Sequence, residues 1–445
     1  TPQVAGAIPV KMLESGPAAG ALAAVFYSKQ LGATNLIAFD MGGTTAKVSL
    51  VEDGQVHRTR EFDVARVHRF KRGSGYPLRI SAIELVEIGA GGGSIARVDH
   101  MGLLEVGPES AGAFPGPACY GHGGSEPTVT DAELVLGYLN PEYFLGGKMP
   151  LDRKAAEASV RQLAEKLGMD DISVAAGMYE VLNEKMAVAI RMHLAEKGKD
   201  PRKFSLFAFG GAGPVHAYEL AHRLGIHRVI CPLGAGITAA YGALVAPPAM
   251  DFVQSYQTDL AKVDWPRVTR MFKQMESEGR GMLQKAGVRQ QGVRFKRTVE
   301  LRYVLQGYNL SIPLPAGRLT SAAAEPLKAS FERAHAAQYG RYYPDVAIEA
   351  VNWRVWAYAP AFSVPPRKPA PSDAPLSLKM KRPIYLPGVR KFVNVPVYDR
   401  YTLPSDTSLR GPAVIEERES TVLVGPQGTF WIDQHQNLVM DLKRK

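Results

Sequence analysis

Asp40, Gly42, Gly43, Thr44 and Thr45 stand close together in Leu36-Ile-Ala-Phe-Asp-Met-Gly-Gly-Thr-Thr-Ala-Lys-Val-Ser-Leu50. Adjacent glycines let a backbone turn sharply and come close to a ligand, and the threonines beside them offer amides and hydroxyls to phosphate oxygens. An acid at the end of a strand is placed to hold Mg²⁺ or to orient a water. The stretch therefore reads as a phosphate-holding hairpin with Asp40 as its metal-facing acid. The same residues equally suit an ordinary Gly-Gly hairpin turn with an acid beside it, and taken alone the stretch leaves both readings open.

Two further glycine clusters carry chemistry of the same kind. Gly89-Ala-Gly-Gly-Gly-Ser94 separates the apolar runs 83–88 and 95–98. Such a loop is costly in conformational entropy and is kept where backbone must approach something closely, so Gly91, Gly92 and Gly93 join the candidate cofactor site. Residues 204–225 read as a strand, a Gly-Gly-x-Gly turn, a proline at a helix start and an amphipathic helix. That is the form of a nucleotide-contacting turn, with the amides at the helix N-terminus facing the ligand. The motif is weak by itself and gains meaning from following the hairpin. His193 has no partner at metal-ligand spacing and reads as a core or solvated histidine. Cys119 and Cys231 stand in no redox or metal spacing.

These loops need strands and helices to hold them. Ser15 and Pro17 open a helix over 18–31 that Gly32 stops, and strands over 36–39 and 48–51 form the hairpin. A third antiparallel strand is expected over 55–62, then a basic segment at 66–72 that reads as a solvated loop in preference to an anion-binding arm. The Gly/Pro-rich stretch 107–130 reads as a long ordered loop and residues 130–139 as a helix. Helices over 151–167 and 172–197 suggest a helical insertion at about 150–200. A strand at 228–232 and a helix at 237–245 complete a first domain, 1–248, closed by Pro247-Pro248. An α+β domain is expected over 249–360, with helices at 265–286 and 322–339 and strands at 294–303, 309–312 and 348–358. A Pro-rich linker at 361–375 leads to a small β-rich unit, 376–445, which shows no catalytic constellation and reads as scaffold or subunit interface.

The 445 residues carry a formal charge of +10, with 46% hydrophobic and 22% charged residues, as expected of a globular protein of two or three domains. The lysines and arginines are scattered without a recognition motif, which argues against nucleic acid and for anionic ligands or an acidic partner. No apolar run nears the ~20 residues of a membrane span and no signal peptide is visible, so the reading is cytoplasmic. The chain begins at Thr1, as a processed or partial chain would.

The order of hairpin, second glycine loop, helical insertion and Gly-Gly turn resembles the second half of the actin, heat-shock-protein and sugar-kinase ATPase fold, a mixed sheet with helices on both faces. The wording is closer still to the ATP-binding subunits of the hydantoinase/oxoprolinase family, which include ATP-dependent ketone carboxylases. Ser15-Gly-Pro-Ala-Ala-Gly20, Phe39-Asp-Met-Gly-Gly-Thr44, Gly89-Ala-Gly-Gly-Gly-Ser-Ile-Ala96, Pro115-Gly-Pro-Ala-Cys-Tyr-Gly121, Glu126-Pro-Thr-Val-Thr-Asp131 and Phe209-Gly-Gly-Ala-Gly-Pro214 carry the resemblance, which runs over nearly the whole chain.

The resemblance implies ATP phosphates and Mg²⁺ or Mn²⁺ near Asp40 and Gly42 to Thr45, and adenosine near Gly210, Gly211 and Gly213. It implies an ATP-hydrolysing subunit of a hetero-oligomer that phosphorylates a substrate carbonyl to drive hydrolysis of a cyclic amide of hydantoin, oxoproline or lactam type. ATP-dependent carboxylation of a ketone of acetone or acetophenone type is the alternative, and a non-catalytic structural or regulatory subunit is a third reading. The implied partners are a second family subunit, bearing a further transition metal, and an N-terminal half of the ATPase carrying the first phosphate hairpin. Two positions depart from the family wording. Many members have Thr-Asp where this chain has Ala46-Lys47, so a cation stands beside the phosphates. Lys47 either stabilises developing phosphate charge as a catalytic residue or points to solvent from the return strand. Phe114 replaces an aspartate common in relatives.

Overall fold

The computed structural model describes residues 2–59, 62–64, 75–78, 80, 82–315, 317, 319–360, 376–405 and 407–443. The basic segment expected at 66–72 and the linker expected at 361–375 fall outside the described residues. The chain divides into two compact units, Glu14–Val245 with Val364–Lys445, and Thr1–Leu13 with Ala246–Ser363.

The larger unit is mixed α/β. In chain order its site-bearing elements are helix α1 (Ser15–Leu31), strands β1 (Leu36–Met41), β2 (Ala46–Glu52), β3 (Gln55–Val56) and β4 (Val86–Ile88), helices α2 (Val129–Val135), α3 (Arg153–Leu167) and α4 (Asp171–Glu196), strand β5 (Ser205–Phe209), helix α5 (Gly213–Leu224), strand β6 (Arg228–Cys231), helix α6 (Thr238–Val245), and strands β7 (Gly428–Ile432) and β8 (Leu438–Leu442). The nine-stranded sheet runs Leu409–Arg410, β7, β8, β6, β5, β1, β2, β3, with β4 also on β2. β1 lies parallel to β5 and antiparallel to β2; β5 and β6 are parallel; β8 closes antiparallel on β6.

The near-continuous apolar run of β1 follows from burial on both faces. Ile37, Phe39 and Met41 enter one core with Leu206 and Ala208 of β5, covered by α2 to α5; Leu36 and Ala38 enter the other with Phe207, Phe209 and Tyr27, under α1. The period-two alternation divides each strand between two cores. α1 ends at Gly32 in the left-handed region, as its glycine stop predicts.

Three expectations are revised. The single third strand over 55–62 is broken into Gln55–Val56, which stays in the sheet, and Arg58–Thr59, which pairs with Ala82–Ile83 outside it. The helices expected as an insertion are core: Tyr179, Leu182, Met186 and Ile190 of α4 pack in the same cluster as Phe39. The tail forms a four-stranded sheet of its own, yet it is not a separate unit, because β7 and β8 extend the central sheet and Phe430, Leu438 and Met440 are buried with Ile37 and Phe39. Alternating hydrophobicity marks those strands correctly, but it does not say which sheet edge they meet.

The smaller unit is a four-stranded antiparallel sheet ordered Ala249–Asp259, Ile348–Tyr358, Arg294–Tyr303, Leu310–Leu314. Its core gathers Trp353 with Phe272 from helix Trp265–Lys285 and Phe331 from helix Ala324–Tyr339. The buried Glu300 accepts from Arg354 at 2.7 Å and Asn352 at 2.6 Å, which satisfies its charge.

Candidate functional site

Asp40 sits one residue before the end of β1, opposite Lys47 on β2 and Phe209 on β5. Burial pushes its carboxyl up to about 6, against the pull of the Lys47 ammonium. None of the described residues donates a hydrogen bond to it. Gly210 takes φ +85° at the end of β5, and a Cβ there would stand 2.6 Å from Asp40 Oδ1 and overlap the Met41 carbonyl. Only glycine meets both demands, so the Gly-Gly-x-Gly turn is seated directly on the acid. The Ala212 amide donates to Met41 O at 3.0 Å and fixes the start of α5 there.

Lys47 is neither free nor turned to water. Its Nζ lies 2.6 Å from Glu14 Oε2 and 3.7 Å from Glu87 Oε1, with the side chain 17% exposed. Glu14 precedes α1 in the left-handed region at φ 60°. The ion pair ties the hairpin to the start of that helix.

The second glycine loop meets the first. Gly42 N closes the hairpin turn on Thr45 O at 3.2 Å, leaving Gly43 and Thr44 as its exposed tip. Gly92 N donates to Gly42 O at 3.1 Å and Gly93 N to Gly43 O at 2.6 Å, while Gly91 N donates to Ser94 Oγ at 2.9 Å. A Cβ on Gly91 would lie 2.6 Å from the Gly43 carbonyl. The close approach that these glycines permit is thus to the hairpin backbone, and their amides are satisfied inside the protein. Thr130 holds the loop from the other side, its Oγ1 donating to Gly92 O at 2.9 Å. Asp131 then anchors the long loop, accepting from Ala118 N, Cys119 N and Thr128 Oγ1. Phe114 is exposed on that loop and makes no part of the site.

Gly43, Gly92 and Gly211 converge on one cleft of about 130 Å³. Its walls include Tyr120, Tyr143 and Phe144, its floor Glu133, and its far side residues 417–421. Sequence reasoning named the three glycine turns and missed Glu133 and the tail segment. Glu417 accepts from Gly234 N at 2.6 Å, Ala235 N at 3.2 Å and Ser420 Oγ at 2.9 Å, which pins 417–421 against the turn after β6. The run Glu416-Glu-Arg-Glu419, acidic in a basic chain, was the available signal.

Cys119 and Cys231 are buried and burial pushes both thiols up, so neither is poised as a nucleophile. Among the described residues no group of three or more His, Cys, Asp or Glu could hold a metal ion. A single half-buried carboxylate without hydrogen-bond donors does suit Mg²⁺, which takes one or two carboxylates and completes its shell with water and phosphate oxygens. No helix of the described residues is long and apolar enough to cross a membrane.

The chain belongs to the hydantoinase/oxoprolinase family: that family's model matches residues 2–251, and the model of its C-terminal domain matches residues 257–444. It is similar to an uncharacterized protein of Methanocaldococcus jannaschii, 36% identical over 96% of this chain and 61% of the relative. It is also similar to the caprolactamase subunit alpha of Pseudomonas jessenii, 33% identical over 94% of this chain and 60% of the relative. A solved nucleotide-free structure of acetone carboxylase, from work on ATP-dependent acetone carboxylation, superimposes with a TM-score of 0.78 at 26% identity, over 96% of this chain and 61% of that one. The chain spans about three fifths of the length of these relatives.

Proposed function

We propose that this chain binds and hydrolyses ATP as a subunit of a hetero-oligomeric enzyme, phosphorylating the carbonyl oxygen of a cyclic amide of hydantoin, oxoproline or lactam type to drive its hydrolysis. The observation that carries this reading is the convergence of Gly43, Gly92 and Gly211 on one cleft, with the half-buried, donor-free Asp40 packed against Gly210, the neighbour of Gly211. The antiparallel β1–β2 pair followed by parallel β5 and β6 supports the second half of an actin-like ATPase fold.

In this reading the exposed tip formed by Gly43 and Thr44, with Gly42 and Thr45 closing it, faces the phosphates. Gly91, Gly92 and Gly93 hold that tip from below, and Gly210, Gly211 and Gly213 face the nucleoside. Asp40 would hold Mg²⁺, which when bound neutralises phosphate charge. Lys47, kept opposite Asp40 by Glu14, adds positive potential near the transferring group. The reaction balances without a redox step: the substrate oxygen gains the γ-phosphoryl group, the β–γ bridge breaks, and ADP leaves. A second family subunit with its own metal is the proposed partner for the following step.

The likeness to acetone carboxylase favours a second reading, ATP-dependent carboxylation of a ketone. Phosphate release from ATP, measured on the native assembly with a panel of lactams and then with ketones plus bicarbonate, separates the two. Release driven by lactams alone is expected; release driven only by ketone with bicarbonate overturns the amidohydrolase reading in favour of the carboxylase.

A further inference from the structure

The floor of the cleft holds a charged group that the phosphate chemistry does not use. Glu133 of α2 is 2% exposed and lines the cleft. Its Oε1 lies 2.9 Å from Nε2 of His216, near the start of α5, off the line of the ring N–H, and neither atom has another partner. His216 is itself fully buried. Its Nδ1 lies 3.2 Å from Asn183 Oδ1, while Asn183 Nδ2 donates to Tyr179 O at 2.8 Å. Asn183 Oδ1 is thereby left as acceptor, and His216 Nδ1 carries the hydrogen. The Tyr179 ring stacks on the imidazole with centroids 5.0 Å apart, and its hydroxyl donates to Val215 O at 3.1 Å. The imidazole is locked from three sides, and its Nε2 stands 2.9 Å from Glu133 Oε1 without a hydrogen bond between them.

The second oxygen, Oε2, receives no hydrogen bond from the described residues. Unlike Oε1, it is not closed to solvent, so it opens on the cleft as an acceptor for which the protein supplies no donor and a ligand can. The surroundings limit what the ligand group can be. Tyr120, Tyr143, Phe144 and Val215 give flat apolar walls. A cavity of about 130 Å³ is well below the roughly 300 Å³ at which pockets for whole drug-sized ligands begin, so it suits one ring system with the rest of the molecule outside.

We propose that Glu133 reads the base of the nucleotide: Oε2 accepts a hydrogen bond from the exocyclic amine of a 6-aminopurine lying against the aromatic wall, and so selects against a 6-oxopurine. The inference rests on the assignment of ATP to this cleft. A carboxylate offers only acceptors, and a 6-oxo group turns its own lone pairs toward it in a site with little water to intervene. His216, itself held by Asn183, acts as a positioning residue by occupying the space against Oε1 and so limiting where the carboxylate can lie.

The test is calorimetric titration of the full-length protein in its native assembly with ADP, IDP and 2′-deoxy-ADP, for the wild type and Glu133→Gln. The wild type should bind ADP at least about tenfold more tightly than IDP, and 2′-deoxy-ADP within about threefold of ADP. Glu133→Gln, whose amide can donate to a 6-oxo group, should bring IDP to within about threefold of ADP, mainly by tightening IDP. Equal wild-type affinities for ADP and IDP overturn the inference even if the variant does not fold. An unchanged ADP preference in a folded Glu133→Gln also overturns it. Loss of affinity for 2′-deoxy-ADP but not for IDP overturns it too, assigning Glu133 to the ribose. Failure of the wild type to bind any of the three overturns the ATP assignment itself, and the inference with it.

Discussion

At the residue scale, Asp40 is held in an environment that disfavours its charge. Its folded carboxyl titrates near 6, above the ordinary value of 3.8, because burial disfavours the charge. The fold favours the protonated form relative to the unfolded chain. The contribution to stability is therefore fully present below about pH 4 and is lost as pH rises through about 6. Asp40→Asn, neutral throughout, should match the wild type at pH 4 and exceed it by up to about 2 kcal/mol at pH 7.5. Urea melts at the two pH values check this, and wild-type-like stability of the variant at pH 7.5 would refute it. The same variant should abolish ATP turnover, since the metal-directed charge is gone. Lys47→Met removes the cation that draws the Asp40 carboxyl down, so the rise in stability of Asp40→Asn over its Lys47→Met parent should begin at the same pH as in the wild-type background but continue to higher pH and reach a larger plateau. Asp40 and the hairpin glycines were legible because a strand-ending acid and a Gly-Gly turn are local patterns. The Glu14 partner of Lys47 was not, because it lies on another element whose approach no local pattern records.

At the scale of elements, the site is a stack of three glycine turns, and the two outer layers owe their positions to the middle one. Gly91 carries the consequence. Its Cβ position faces the Gly43 carbonyl at 2.6 Å, whereas a Cβ on Gly42 meets nothing within 4 Å. Gly91→Ala should destabilise the fold by about 1–3 kcal/mol and weaken nucleotide binding by displacing the hairpin tip, while Gly42→Ala leaves stability within about 0.5 kcal/mol. Denaturant midpoints and ADP titrations of the pair decide it, and equal midpoints would refute the stacking account. Several helices were read from sequence to within a few residues because their apolar period is strong, as in α3, α5 and the helix Trp265–Lys285. The glycine loop was read as approaching something; only the fold reveals that the something is another loop. The third strand failed as a single element because pairing partners outside the sheet drew off its second part at Arg58–Thr59.

At the scale of the molecule, residues widely separated in sequence complete one sheet and one cleft. Deleting residues 364–445 removes β7 and β8 from the core that contains Ile37 and Phe39 and takes residues 417–421 from the cleft. Such a truncation should lose the cooperative melting transition of the larger unit in near-ultraviolet circular dichroism, and a retained transition would show the tail to be dispensable. Composition and turn spacing identified the tail as β-rich. Its place in the sheet was hidden, because strand pairing between β6 and β8 spans about half of the chain and depends on edges that exist only after folding. That pairing also bears on how the protein is made. β6 is complete when residue 231 has been synthesised, but its outer edge is covered only when residues 438–442 emerge. At about 5–20 residues per second a ribosome needs on the order of ten to forty seconds for that interval. Throughout it, the nascent chain presents an apolar strand with unpaired amides and carbonyls to its surroundings. Yield on overexpression should accordingly depend on chaperones that shield nascent chains, and on translation speed through the second half of the message.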